Sequence, residues 1–432
     1  MIHANTRHDV DIVVIGAGIA GIATAYYLSV EQKQRSVLLI DYRQPMSYTS
    51  AQSGDNYRNW WPHPTMTAFT NDSIDLMQRL ADGTENVFNM TQRGYVLATR
   101  ETDTKSLMAG LRSDLDVDVV SGRSHIQQRF PALSTDIQNV LHIKRAGDIS
   151  GQQLGTLMLA RFKEAGGRRL QGEVTAIRGG RPYSLYAETN GQALTVSARA
   201  IVNAAGPFVA DVARMLDTDL PVTNIYQQKI SFDDRLGAIP RDMPFSIDLD
   251  EKLLDWSDEE RQLLAEDPTL AWVTERLPPG THCRPDGGQH GSWVKLGWAY
   301  NKKESTPERE LANEAASDPQ FPEIVIRGAA AFLPSLKAYI DEPPSRFVHY
   351  GGYYTMTKEN WPLIGPMGPE DTYVVGALSG FGSMAACAAG QLGAAWVCEG
   401  ALPAYAEQLS LERYADTTLI ARLQNESNKG VL

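Results

Sequence analysis

A ligand carrying phosphates needs backbone amides that point at it and glycines that let the chain come close. Residues 11–41 offer both. The apolar run Asp11-Ile-Val-Val-Ile reads as a buried strand and leads into Gly16-Ala17-Gly18-Ile19-Ala20-Gly21; an apolar, helix-like run follows to Leu28. Gly16 permits a tight turn, Gly18 lets the backbone approach a pyrophosphate, and Gly21 lets the helix pack close on the strand. The unpaired amides at the helix start, reinforced by its dipole, then hold the phosphates. A second apolar strand, Ser36 to Asp41, ends on an acid 20 residues beyond Gly21, placed to accept hydrogen bonds from a ribose diol. This is the pattern of a dinucleotide site, for NAD or for FAD.

Other chemistry-bearing residues lie far along the chain. Arg58 sits in the aromatic string Tyr57-Arg-Asn-Trp60-Trp61, and its planar fork suits a bidentate grip on an anion. Trp60, Trp61, Trp298, Tyr353 and Tyr354 can form an aromatic wall for an aryl or alkylammonium group, or simply pack in the core. His349, on the strand leading to Tyr353, is a candidate proton-transfer group, with a structural histidine as the alternative.

Elements must bring these residues together. Thr65–Leu80 and Leu154–Phe162 have helical spacing, and Glu101–Leu111 and Glu308–Leu336 read as helices, the last broken at Pro319 and Pro322. Strands are expected at Gly94–Thr99, Gly172–Ile177, Ala187–Val196, Ala198–Asn203, Ile225–Ser231, Pro244–Asp248, Ser292–Trp298, Phe347–Thr355 and Thr372–Val375. An apolar helix follows from Ser383 to Cys398. The acidic stretch Asp250–Leu277 reads as an inserted surface helical hairpin, or else a lid or oligomer contact.

The 432 residues suffice for two to three domains, and 43% apolar with 21% charged residues is ordinary for a globular chain. A net charge of −12 argues against nucleic-acid or anionic-membrane partners. Three scattered cysteines make neither a disulfide framework nor a zinc site, which fits a reducing cytoplasm; no membrane span and no other metal-ligand set is expected.

Taken in order, Gly16–Gly21 with Asp41, Val202-Asn-Ala-Ala-Gly206-Pro, Tyr353-Tyr-Thr-Met-Thr357 with Pro362-Leu-Ile-Gly365-Pro366, and Ser379-Gly-Phe-Gly382 resemble the FAD-dependent amine oxidoreductases of the D-amino acid oxidase superfamily. The sub-pattern is similar to the monomeric sarcosine oxidase and glycine oxidase group. The resemblance implies an α/β + β fold: a discontinuous, three-layer, Rossmann-like FAD domain with an inserted substrate domain on a mixed, largely antiparallel sheet. The expected bounds are 1–90, 145–222 and 355–432 for the FAD domain, and 91–144 and 223–354 for the substrate domain with the insert 250–277. Cofactor contacts are implied at Gly16, Ala17, Gly18, Ile19, Ala20, Gly21, Asp41, Tyr42, Arg43, Ser53, Gly54, Arg58, Val174, Ala205, Gly206, Gly380, Phe381, Gly382, Ser383 and Met384.

The resemblance further implies oxidation of a C–N bond in a small amine or amino acid to an imine, with O2 reoxidising the flavin to give H2O2. It puts Lys295 over the flavin to promote that oxygen step, and Tyr354 in the active site. It puts Gly352 where relatives carry a cysteine that tethers the flavin, so the FAD is expected to be non-covalent. Ala299 and Met384 replace a histidine and a lysine of the sarcosine oxidase pocket, so sarcosine itself is not the expected substrate. A dehydrogenase of D-amino or 2-hydroxy acids using another acceptor, and a flavin-holding subunit or assembly factor, remain as alternatives.

Overall fold

The computed structural model describes residues 6–103, 105, 111, 115–288, 290–311 and 318–425. Strand β1 (Thr6–Ile15) enters the glycine turn, helix α1 (Ile19–Tyr26) leaves it, and β2 (Val37–Asp41) follows. Next come β3 (Asn56–Arg58), α2 (Pro64–Asp82), β4 (Tyr95–Thr99), β5 (Val117–Ser121), β6 (Asn139–Ile143) and β7 (Ala146–Asp148). Pro64 opens α2, where its missing N–H costs nothing, and the Ser150 hydroxyl caps α3 (Gly151–Glu164) by accepting from the Gln153 amide. The middle of the chain holds β8 (Arg168–Gln171), β9 (Glu173–Arg178), β10 (Tyr183–Thr189) and β11 (Gln192–Asn203). Beyond them are β12 (Thr223–Asp233), β13 (Phe245–Asp248), β14 (Thr281–Asp286), β15 (Trp293–Gly297) and α4 (Phe321–Ala330). The chain closes with β16 (Phe347–Met356), β17 (Leu363–Pro366), β18 (Thr372–Gly376) and α5 (Gly382–Val397).

One sheet runs β17-β18-β11-β1-β2-β8, parallel except at β17–β18, with β10 added antiparallel to β11 and β9 antiparallel to β10. Alternation along β1 decides its two faces. Ile12 and Val14 join α1, α2, α3 and α5 in one core, while Val13 and Ile15 join Ile177, Tyr183 and Leu185 of the β9–β10 hairpin in another. The result is helix layer, parallel sheet and β layer, a Rossmann-like FAD fold assembled from three separated parts of the chain.

A second sheet runs β16-β12-β15-β14-β13-β4-β6-β5 and is antiparallel except at β13–β4. Ile230, Phe232, Cys283, Val294 and Leu296 bury one face under α4. The opposite face of the same strands carries Lys229, Ser231, His282, Arg284, Asp286 and Lys295 together with Trp293 and Gly297.

Three expected elements differ. Ala187–Val196 is not one strand: Asn190 and Gly191, with φ of 49° and 73°, turn β10 back into β11, the geometry an Asn-Gly pair favours. The 250–277 insert is not a helical hairpin. It has one α-helix, Asp258–Glu266, with a Ser257–Glu260 capping box, and only a single 3-10 turn, Ala271–Thr274, after it; its ends are clipped by a bridge between Lys252 and Leu277. Leu254, Trp256 and Val273 anchor it in the core, which is why only part of its apolar set is exposed. In 308–336, Pro322 does not break a helix but lies in the first turn of α4. The helix expected at 101–111 falls mainly outside the described residues. Among those described, no helix is long and apolar enough to cross a membrane.

Candidate active site

The glycine turn is built as its chemistry requires. Gly16 has φ of +108°, and a Cβ there would stand 2.3 Å from the Ala204 carbonyl oxygen; one on Gly21 would stand 1.9 Å from the Gly16 carbonyl. Gly18, at the start of α1, has no side chain to cap the helix, and the Ser50 hydroxyl accepts from the Ile19 amide at 3.0 Å. Asp41 Oδ2 accepts from the Ala17 amide at 2.7 Å and Oδ1 from the Arg43 amide at 2.8 Å, so the acid fixes the turn while lone pairs remain for a diol.

These residues line a cavity of about 450 Å³. Its walls include Gly16, Ala17, Gly18, Ile19, Ala20, Asp41, Tyr42, Arg43, Ser53, Val174, Ala205, Gly206, Gly380, Gly382 and Ser383. It extends to Gly352, Tyr353, Tyr354 and Lys229 on the second sheet. An elongated cradle with a glycine turn, an acid at the end of β2 and small residues at the start of α5 fits FAD. None of the three cysteines lines it.

At the far end the polar face of the second sheet takes over. Lys229 pairs in register with Tyr350 on one side and Gly297 on the other, and Gly297 with His282. The neighbouring row is Ser231, Lys295 and Arg284. Lys229 is buried, its Nζ 3.4 Å from the Tyr354 hydroxyl and 5.3 Å from that ring's centre. No carboxylate lies within ion-pair distance of it among the described residues. Lys295 instead contacts Asp286 at 3.4 Å. Burial, then the charge of Arg284, holds the Lys295 pKa below the usual lysine value, with Asp286 and Asp55 opposing. Asp286 is itself held low: burial pushes it up, but Arg284 and Lys295 outweigh that.

Arg284 ties this face to the loop beside the cavity, donating from Nε and Nη2 to the Gly54 carbonyl at 3.1 and 2.9 Å and pairing with Asp286 at 2.9 Å. Asp55 has a φ of +58°, and its Oδ1 lies 3.1 Å from the Ser383 hydroxyl, which also sits 2.8 Å from that of Ser53. The His282 Nδ1 donates to the Gly280 carbonyl at 2.9 Å, leaving Nε2 above Gly297, whose missing side chain makes room for the ring. Burial pushes the His282 pKa down to about 4, so the ring is neutral near pH 7.

The remaining sequence candidates lie elsewhere. Arg58 is buried against Trp61 and Tyr95, its guanidinium 4.4 Å from the Trp61 ring centre, and desolvation lowers its pKa. Trp61 meets Phe381 edge-on at 5.1 Å within the helical core, where Met384 is also buried; Trp60 packs with Phe245 and Leu97. His349 pairs with Ile230 on the face that packs under α4, stacks on Phe321 at 5.3 Å, and bonds Gln228 at 2.7 Å. Gly21, Gly54, Arg58, Trp60, Trp61, Lys295, His349, Phe381 and Met384 are therefore not among the lining residues. The sequence reading missed Lys229 as a lining residue, and with it the neighbouring row of His282 and Arg284 behind the wall. A signal existed in alternating stretches such as Lys229-Ile-Ser-Phe and His282-Cys-Arg, but their adjacency depends on a register between strands distant in sequence.

A dinucleotide cradle on a parallel sheet, facing a cation-bearing antiparallel sheet, defines the class of two-sheet flavoprotein oxidoreductases. The family model for FAD-dependent oxidoreductases (DAO) matches residues 11–396, and the chain belongs to that family. Dimethylglycine dehydrogenase of Mus musculus mitochondria is 25% identical over 287 residues, covering 62% of this chain and 32% of that protein. The chain thus spans about a third of the length of the curated relatives it matches. Among solved structures, L-proline dehydrogenase from P. horikoshii superposes with a TM-score of 0.74 at 17% identity, covering 95% of this chain and 99% of that one. Glycine oxidase from Geobacillus kaustophilus gives 0.71 at 16%, covering 94% and 98%. These structural likenesses establish the shared fold.

Proposed function

We propose that the chain oxidises a carbon–nitrogen bond of a small amine or amino acid and passes the electrons to dioxygen. The observation that carries this reading is Lys229: a buried lysine on the cavity wall beside Tyr354, with no carboxylate within ion-pair distance among the described residues. When bound, FAD supplies the two-electron acceptor for the carbon beside the nitrogen. Lys229 stabilises negative charge that develops next to it in a site of low dielectric. The Tyr354 hydroxyl holds the lysine in place and presents a polar edge to the substrate space. Arg284 fixes the Gly54 carbonyl, and with it the Ser53–Asp55 loop, so the wall opposite the sheet does not shift. Lys295 adds a positive field from the second row, most of which Asp286 cancels.

The amine assignment draws support from the relatives, whose names carry dimethylglycine, proline and glycine. Segments 1–90, 145–222 and 355–432 serve as the FAD domain, and 91–144 and 223–354 as the substrate domain. A second reading, with an acceptor other than oxygen, is favoured by the relatives named dehydrogenases. Oxygen uptake and peroxide yield with an amine and amino-acid panel decide between them. Stoichiometric peroxide is expected; turnover that requires an added dye or electron carrier, with no peroxide, would select the second reading.

A further inference from the structure

The segment 304–309 leaves the second sheet and lies against the part of the cavity that carries the ribose acid. Glu304 bridges to Ile225 at the edge of β12, and the Ser305 amide donates to the Asn224 carbonyl at 2.9 Å. The Tyr353 hydroxyl accepts from the Glu308 amide at 2.8 Å, and the Tyr48 hydroxyl donates to the Glu308 carbonyl. Across the gap, Arg43 donates to the Arg309 carbonyl, and Arg309 pairs with Glu173 at 2.8 Å. The two guanidiniums flank the Tyr42 ring, Arg43 at 4.0 Å and Arg309 at 4.8 Å from its centre. Pro307, Arg309, Tyr42, Arg43, Tyr48 and Glu173 all line the cavity.

The second sheet therefore contributes a wall to the cofactor site at the end opposite the chemistry. We propose that residues 304–309 form a latch over the adenosine half of FAD, with Arg309 as a cofactor-positioning residue held by Glu173 and Tyr42. A dinucleotide that lies along the turn from Asp41 to Tyr354 leaves only when this segment parts from Tyr42, Arg43 and Glu173. Retention of the cofactor is then set partly by contacts between the two sheets, not by the glycine turn alone.

The test is the rate of FAD release from purified holoprotein on dilution, read from the rising fluorescence of free FAD. Arg309→Gln and Glu173→Gln are expected to speed release about 3- to 10-fold each, since both lose the ion pair and Arg309→Gln also loses the ring contact. The charge swap Arg309→Glu with Glu173→Arg is expected to return release toward the parent rate. Arg309 is largely exposed, so the variants fold. Arg181→Gln, which breaks a surface pair with Asp371 away from the cavity, is the control for general loosening. Unchanged release in both single variants, or release raised no more than in Arg181→Gln, overturns the latch. So does a swap that releases as fast as the single variants. A parent protein that is colourless and takes up no FAD overturns the cofactor assignment itself, which yellow protein with unaltered release rates does not.

Discussion

Replacing Lys229 with Met keeps the side chain's length and removes its charge. The lysine is buried, and its Nζ stands 5.3 Å from the centre of the Tyr354 ring that shares the cavity wall. Taking ~5 Å as the approach distance to a reacting group and an effective dielectric of ~20, a unit charge stabilises a developing unit of opposite charge by ~3 kcal/mol, or roughly 10²-fold in rate. Lys295 gives a contrasting case. Asp286, 3.4 Å from its Nζ, subtracts most of that field, leaving ~1 kcal/mol and at most about a tenfold effect. The assay is stopped-flow mixing of substrate-reduced enzyme with oxygen, following return of the yellow colour. Lys229→Met is expected to reoxidise about 10²-fold more slowly and Lys295→Met at most about tenfold. Parent-like reoxidation in Lys229→Met, or a larger loss in Lys295→Met, would refute the reasoning.

Other outcomes follow from the same geometry. Gly16→Ala forces a side chain into a φ of +108° and against the Ala204 carbonyl, so it is expected to cost more than ~3 kcal/mol and to yield colourless or insoluble protein; FAD content per chain checks this. His282 has a folded pKa of about 4 against an ordinary value near 6.5, so the unfolded chain takes up its proton first. Its stability contribution is therefore complete above pH ~6.5 and falls away by ~3 kcal/mol as pH drops toward ~4; His282→Asn is expected to flatten denaturant midpoints over that window. Arg413 and Glu359 form a fully buried pair at 2.6 Å, so Glu359→Ala strands the guanidinium and should cost ~3–5 kcal/mol, seen as a lower melting temperature with FAD spectra retained.

Much of the first sheet was legible because its signals are local. The glycine turn and Asp41 sit within one βαβ unit, Pro64 and Ser150 mark helix starts, and Ala198–Asn203 repeats the buried-strand-to-turn pattern that returns the chain beside β1. The turn at Ser379–Gly382 before α5 was legible locally, while its place on the cavity wall came from the family resemblance. The end of the cavity at the second sheet was harder to read. Lys229, His282 and Lys295 lie on three strands whose neighbours are set by packing under α4, and nothing local says that Lys229 reaches the cavity while Lys295 turns to Asp286. His349 shows the converse. Near Tyr354 in sequence, it is carried by strand alternation to the face under α4, against Phe321. The insert misled because its apolar residues are divided between an anchor, Leu254 and Trp256, and an exposed set, Leu253, Leu263 and Trp272.

The most direct test of the central claim is anaerobic titration of the purified yellow protein with a panel of secondary and primary amines, amino acids and 2-hydroxy acids. It reports the reductive step whatever the final acceptor. Bleaching by one or more amines, with a carbonyl product after hydrolysis and none from the hydroxy acids, is the predicted result. Bleaching by hydroxy acids alone, or by nothing in a panel that spans these classes, would contradict the account.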